Sequence, residues 1–167
     1  MTTTLSDARV WELLGRGGSA TEPEGARRPA KYRGLTDPHG AEELAGALAE
    51  RIRGLSPAAI VIWEEPEDVV LGHIVGRELG LPVVRAFDAD GLVGHSTVLP
   101  EGAGVVLVTD AVRDARVVRA ARALAEQGGG SLLGTAVIIE TPVLREASGA
   151  AGSVIALVRA AESEGAA

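Results

Sequence analysis

The sequence predicts an α/β fold: a central parallel sheet flanked by helices. Two observations carry that prediction. Short β-branched apolar runs alternate along the chain with longer stretches of helical spacing, the layout that packs helices on both faces of a parallel sheet. One segment holds the whole unit: Val105 to Glu140 reads VVLVTDAVRDARVVRAARALAEQGGGSLLGTAVIIE. There a strand leads into a polar turn at Thr109, Asp110, Arg113 and Asp114, then a helix to about Gln127, a glycine break, and a second strand from Leu132 to Ile139. A loop and a helix N-terminus in that arrangement can grip an anionic ligand.

The remaining elements follow in order. Leu5 to Leu14 has helical spacing, with Ser6 or Thr4 as its cap. Residues 15–33 are rich in Gly, Pro, Glu and Arg without a period, and read as an irregular arm. Asp37-Pro38 starts a helix, a capping carboxylate followed by proline in the first turn. Leu44, Ala45, Leu48 and Ile52 continue it to about Arg53. Ala59 to Trp63 is a short buried strand. Asp68 to Leu79 is a helix closed by Gly80 and Pro82, and Pro82 to Phe87 is a strand. Asp88 to Gly102 is polar and glycine-bearing, with a short ribbon around Val93 to Leu99. Val154 to Val158 is a last strand, and residues 160–167 read as a flexible tail. No internal repeat is visible, and 167 residues fit one domain.

Composition narrows the function. Hydrophobic residues make up 46% of the chain and aromatics 2%, so the core is aliphatic. A net charge of −7 opposes nucleic-acid binding, whose footprint is a basic patch. The absence of cysteine removes disulfides, thiolate catalysis and Cys-zinc sites. His39, His73 and His95 are too widely spaced for a metal motif. No apolar run reaches the ~20 residues of a membrane span, and MTTTLSDARVWELL lacks the pattern of a signal peptide. A cytoplasmic protein without a membrane partner is expected.

Five segments resemble the type I phosphoribosyltransferases, above all their orotate branch. GLTDPHGAEELAGALAERI (Gly34 to Ile52) is similar to the family's helix before the first core strand, and AAIVIW (Ala58 to Trp63) to that strand. VVLGHIVGRELGLPVVR (Val69 to Arg85) resembles its helix, LGLP turn and next strand. PEGAGVVLVTD (Pro100 to Asp110) and ALAEQGGGSLLGTAVIIE (Ala123 to Glu140) resemble the strand entering the phosphoribosyl-diphosphate loop and the elements leaving it. The likeness spans about residues 5 to 158. It implies a type I phosphoribosyltransferase-like fold with a small hood from the termini, and a homodimer pairing through Val69 to Arg85.

The resemblance also implies where a ligand would sit, and there this sequence departs from the family. The two acids ending the strand fall on Thr109 and Asp110, so Asp110 would hold ribose hydroxyls. The glycine-rich turn is Arg113, Asp114, Ala115, Arg116 and Val117. Ala115 adds a side chain where backbone must approach phosphate. Arg113 and Arg116, with the free N–H groups of the helix start, could still hold an anion, or could be solvated surface charges. The loop that cradles diphosphate is Glu64-Glu65-Pro66-Glu67-Asp68, whose carboxylates oppose a polyanion. Glu67 and Asp68 also suit a helix start, where the dipole favours them. The family's mobile loop matches residues 86–96, which carry no lysine. His95 is its proton-transfer candidate, or simply a solvated histidine. Lys31 and Tyr32 fall where the family places substrate-contacting residues of the arm.

Three functions stay open. The first is a non-transferring member with eroded loops that binds a small anionic or nucleoside-like ligand, or a protein partner. The second is a repurposed enzyme using Asp110, Asp114, His95 or Glu64 and Glu65 as acid–base groups. The third is a divergent, active phosphoribosyltransferase. Magnesium is implied if phosphoribosyl diphosphate or another phosphate ligand binds; the sequence assigns no metal ligands.

Overall fold

The computed structural model describes residues 5–15 and 35–160. Its centre is a six-stranded sheet: β1 (Ala59–Trp63), β2 (Val83–Ala89), β3 (Leu92–His95), β4 (Gly104–Ala111), β5 (Ser131–Glu140) and β6 (Ser153–Arg159). The strand order is β3-β2-β1-β4-β5-β6. Every neighbouring pair is parallel except β2 and β3.

Period-two alternation splits the strand side chains between two apolar layers. Ile60, Ile62, Val106, Val108 and Ile138 enter one layer, with α1 (Asp7–Leu13), α2 (Pro38–Arg53) and α3 (Pro66–Leu79). Ala59, Val61, Val105, Leu107 and Val137 enter the other, with α4 (Ala115–Gln127) and the short α5 (Pro142–Glu146) and α6 (Ser148–Ala151). Strands covered on both faces must be apolar on both, which is why these segments read as unbroken aliphatic runs.

The caps follow the sequence closely. Ser6 accepts a bond from the Arg9 N–H and Asp37 one from the Gly40 N–H, with Pro38 in the first turn of α2. Gly80 closes α3 at φ 68°, the left-handed conformation that glycine adopts without strain. Asp90 and Gly91 both have positive φ, 52° and 87°, the requirement of a tight two-residue hairpin turn between β2 and β3.

Several boundaries differ from the sequence expectation; β2 runs to Ala89 rather than Phe87, and the ribbon expected around Val93 to Leu99 is Leu92–His95. α3 begins at Pro66 rather than Asp68, because Glu65 is extended and proline suits the first helical position. Glu67 and Asp68 lie in its first turn, the helix-start placement the sequence suggested for them. β4 continues to Ala111, held by pairing with β5 through Thr109↔Val137 and Ala111↔Ile139, so Thr109 and Asp110 end a strand instead of forming a turn. Helices α5 and α6 were not expected, although Thr141-Pro142 repeats the Asp37-Pro38 signature: the Thr141 hydroxyl accepts the Leu144 N–H. The irregular arm, apart from Gly15, and the tail beyond residue 160 lie outside the described residues. Among those described, no helix is long and apolar enough to cross a membrane.

The site is positioned by a reversal in the strand order. From β1 the chain crosses through α3 to β2 on one side; β4 lies on the other side of β1 and continues through α4 to β5. The two helices cover opposite faces, so the carboxyl ends of β1 and β4 part into a crevice, where ligands bind in such sheets.

Gly72 lets α3 approach β1. A Cβ there would lie 2.3 Å from Ile62 Cγ2, in the closed core. Gly72→Ala is expected to lose about 1–3 kcal/mol to overpacking, exceeding the ~1 kcal/mol gained in helix propensity. Urea unfolding should show a lower midpoint with an unchanged slope; a stabilised variant would mean that the two elements are not in close contact.

Candidate functional site

The crevice holds a cleft of about 480 Å³. Trp63, Glu65, Glu67 and Asp68 reach it from the end of β1 and the first turn of α3. Asp88 reaches it from β2, and Thr109 to Asp114, Arg116 and Val117 from β4 and the start of α4.

Asp110 is the centre of the site. It ends β4 with 3% of its surface exposed. Its carboxylate accepts both terminal nitrogens of Arg113, at 2.6 and 2.7 Å, and the Ala111 N–H at 2.6 Å. Arg113 also donates to the Ala111 carbonyl. This is the two-pronged geometry that suits guanidinium and carboxylate. Behind it, the Asp110 N–H donates to Asp68 Oδ1 at 3.0 Å, tying α3 to the end of β4.

Asp68 is itself buried, 4% exposed. Burial pushes its carboxyl up to about 8, and the neighbouring Asp110 charge pushes the same way. The Asp110 N–H, the Thr109 hydroxyl and the Arg113 charge oppose the rise without cancelling it.

The α4 N-terminus is closed by its own sequence. Asp114 is the cap, and its carboxylate accepts the Arg116 N–H at 2.7 Å. The Arg116 side chain reaches across the cleft to Asp88, 2.5 Å away. The Gly91 N–H and then Arg116 hold the Asp88 carboxyl below its usual range. Both arginines of the expected anion site thus have carboxylate partners within the protein.

The other expected residues separate. Thr109 is buried, its hydroxyl 3.5 Å from the Ala111 carbonyl. Ala115 begins α4 beside the cleft without lining it. Glu65 lines it, whereas Glu64 points away to Arg85. His95 lies on β3 outside the lining, its Nδ1 2.9 Å from the Thr97 carbonyl oxygen. Lys31 and Tyr32 lie outside the described residues. Among those described, no group of three or more His, Asp or Glu side chains is placed to hold a metal ion.

The sequence reading placed Asp68 and Asp88 in segments expected at the ligand site, but missed Trp63 and did not foresee that Asp68 is buried. For Asp68 a signal existed. It shares the i, i+3, i+4, i+7 stripe with Leu71, Gly72 and Val75, so a carboxylate stands on the buried face of α3.

No family model matches the chain, and no curated protein matches it in sequence. Solved structures do match in fold. An adenine phosphoribosyltransferase from Rhodothermus marinus superposes with a TM-score of 0.71 at 18% identity, over 92% of this chain and 99% of that one. The adenine phosphoribosyltransferase of Leishmania tarentolae gives 0.69 at 18%, over 93% and 89%. The orotate phosphoribosyltransferase of Mycobacterium tuberculosis, in complex with inorganic phosphate, gives 0.65 at 15%, over 91% and 94%. The fold is that of the type I phosphoribosyltransferases. At such identities the likeness carries the phosphoribosyltransferase fold and nothing about this chain's chemistry. The sequence resemblance to the orotate branch and these structures, of both adenine and orotate enzymes, agree at that level.

Asp114→Ala removes the α4 cap and is expected to cost about 0.5–2 kcal/mol. Calorimetric melting of the variant would measure it. No loss would mean that the Arg116 N–H finds another acceptor.

Proposed function

We propose that this protein is a phosphoribosyltransferase-fold binding protein that does not transfer phosphoribosyl groups, its cleft receiving a nucleoside-sized, hydroxyl-bearing ligand of little negative charge. The observation that carries this reading is the internal pairing of Arg113 with Asp110, of Arg116 with Asp88, and of the α4 N-terminus with Asp114. Six carboxyl groups (Glu65, Glu67, Asp68, Asp88, Asp110, Asp114) line the cleft against two guanidinium groups. A diphosphate would enter a field of its own sign. To recruit Arg113 it would leave the buried Asp110 carboxylate unpaired, a loss of about 3–5 kcal/mol. The cleft volume lies within the ordinary range for small-molecule sites. A small anionic group remains compatible with Arg116 alone, where it would replace Asp88.

A second reading draws on one observation. Asp68, its carboxyl raised toward neutrality and set beside Asp110, has the protonation behaviour of a general acid or base, as a repurposed enzyme would need.

We also propose that the chain pairs as a homodimer through α3. Val69 and Val70 are 36% and 40% exposed on that helix, whereas Leu71, Ile74 and Val75 are spent in the core. A dimeric mass by light scattering at micromolar concentration is expected. A monomeric mass independent of concentration would count against pairing.

With phosphoribosyl diphosphate, magnesium and either orotate or adenine, no diphosphate release above background is expected; robust release would establish an active transferase instead. In calorimetry, affinity is expected to fall from a nucleoside to its monophosphate to its diphosphate. The reverse order would overturn the assignment of ligand charge.

A further inference from the structure

Two buried carboxyl groups meet at the floor of the cleft. Asp68 comes from the first turn of α3 and Asp110 from the end of β4; they are 4% and 3% exposed. The Asp110 carboxylate has strong donors: both terminal nitrogens of Arg113 and the Ala111 N–H. Asp68 receives the Asp110 N–H at 3.0 Å, and the Thr109 hydroxyl is within reach of it. Arg113 acts on Asp68 through space and is the weakest of the influences upon it. One guanidinium therefore serves two carboxyls held away from water, and two like charges at such a site do not both ionise readily.

The surroundings do not supply the missing charge. On its own helix Asp68 has Glu67 and the capping Glu65 beside the cleft. β1 contributes Trp63, β2 contributes Asp88, and the start of α4 contributes Asp114 and Arg116, the latter paired with Asp88. α2 packs along α3, but its Glu42 meets Arg77 near the far end of that helix. The positive end of the α3 dipole is the one further favourable influence.

We propose that the buried Asp68 keeps its proton at neutral pH beside the Asp110–Arg113 pair, and that its loss loosens the seam joining α3 to the end of β4. The proton makes the Asp68–Asp110 contact a neutral–anionic pair. Without it, a second buried charge stands beside Asp110, and the cost of burying it and the repulsion outweigh the strengthening of the N–H bond that fastens the seam. The device needs no ligand, so it stands apart from the binding function proposed above.

The direction of the pH effect follows. An unfolded aspartate titrates near about 3.9, and burial moves Asp68 up to about 8. The native state keeps its proton through that interval while the unfolded chain has lost it. This contribution to stability is full below the unfolded value, declines as pH rises, and levels off above about 8. Asp68→Asn fixes the neutral form, and its amide oxygen can still accept the Asp110 N–H.

Carbon-13 NMR of the side-chain carboxyls, followed from about pH 4 to about pH 9, reads the proton directly. Asp68 is expected to titrate near neutrality or above. The intrinsic-rate-corrected exchange protection of the Asp110 amide should fall on the order of tenfold over the same titration. The wild-type melting temperature should decline between about pH 5 and about pH 8, while that of Asp68→Asn stays level. An Asp68 carboxyl titrating at the ordinary aspartate value would overturn the proposal. So would an Asp68→Asn variant that declines in parallel with the wild type. Should that variant fail to fold, the carboxyl titration of the wild-type protein decides alone.

Discussion

A strand covered on both faces has nowhere to put a polar side chain except at its end, and this constraint arranges the molecule. Ala59 to Ile62 and Val105 to Val108 are closed to solvent along their whole length. Thr135, within β5, is an exception that proves costly enough to need a partner: its hydroxyl donates to the Ala151 carbonyl. The other buried polar residues of the strands gather at the carboxyl edge, Thr109 and Asp110 on β4 and Glu140 on β5. There each carboxylate meets an arginine, Asp110 with Arg113 and Glu140 with Arg159. The chemistry of the sheet is confined to one edge because the core leaves it no other place.

That edge is ionic but not equally so. Asp110 is closed from water, and its partner Arg113 comes from three residues further along the same chain. A short segment thus brings its own counter-ion to a carboxylate that the strand forces inward. Removing one member of such a pair leaves a buried charge, which costs far more than the pair contributes as a whole. Asp68 enters this environment from a different element, and its bond to the Asp110 N–H joins a helix of one layer to the end of a central strand. A polar contact here decides how α3 sits on the sheet, alongside the apolar packing of Leu71, Ile74 and Val75.

Much of this is legible in the sequence. Alternating aliphatic runs and helical periods gave the layers, since burial on both faces leaves a visible pattern. Asp37-Pro38 and Gly80 marked helix ends because capping chemistry is local. The polar segment around Asp110 lines the candidate cleft. What could not be read depended on pairing between distant segments. β4 extends past Thr109 only because β5 is long enough to pair with it. Arg116 could be read as a free cation until β2 placed Asp88 against it. Glu64 and Glu65 look equivalent in sequence, yet the turn between β1 and α3 sends one to Arg85 and the other to the cleft. Nothing local distinguishes them.

The same distinction between local and distant pairing governs how the cleft can respond to a ligand. The Arg113–Asp110 pair is buried at the carboxylate, two-pronged and close in sequence, so displacing it exposes the penalty of an unpaired charge. The Arg116–Asp88 pair is 45% and 39% exposed and spans two elements, and a solvent-screened pair of that kind contributes little. Asp88 can give up Arg116 from Oδ2 at small cost, because Oδ1 keeps the Gly91 N–H bond in the tight turn at Asp90-Gly91. At the helix N-terminus between the two pairs Asp114 already takes the Arg116 N–H, so an incoming group meets one exchangeable cation and a helix start partly capped by a carboxylate. The cleft is therefore adaptable at its rim and fixed at its floor. On the proposed reading, an anion of a single charge would trade places with Asp88, whereas a diphosphate would have to draw Arg113 from Asp110 as well.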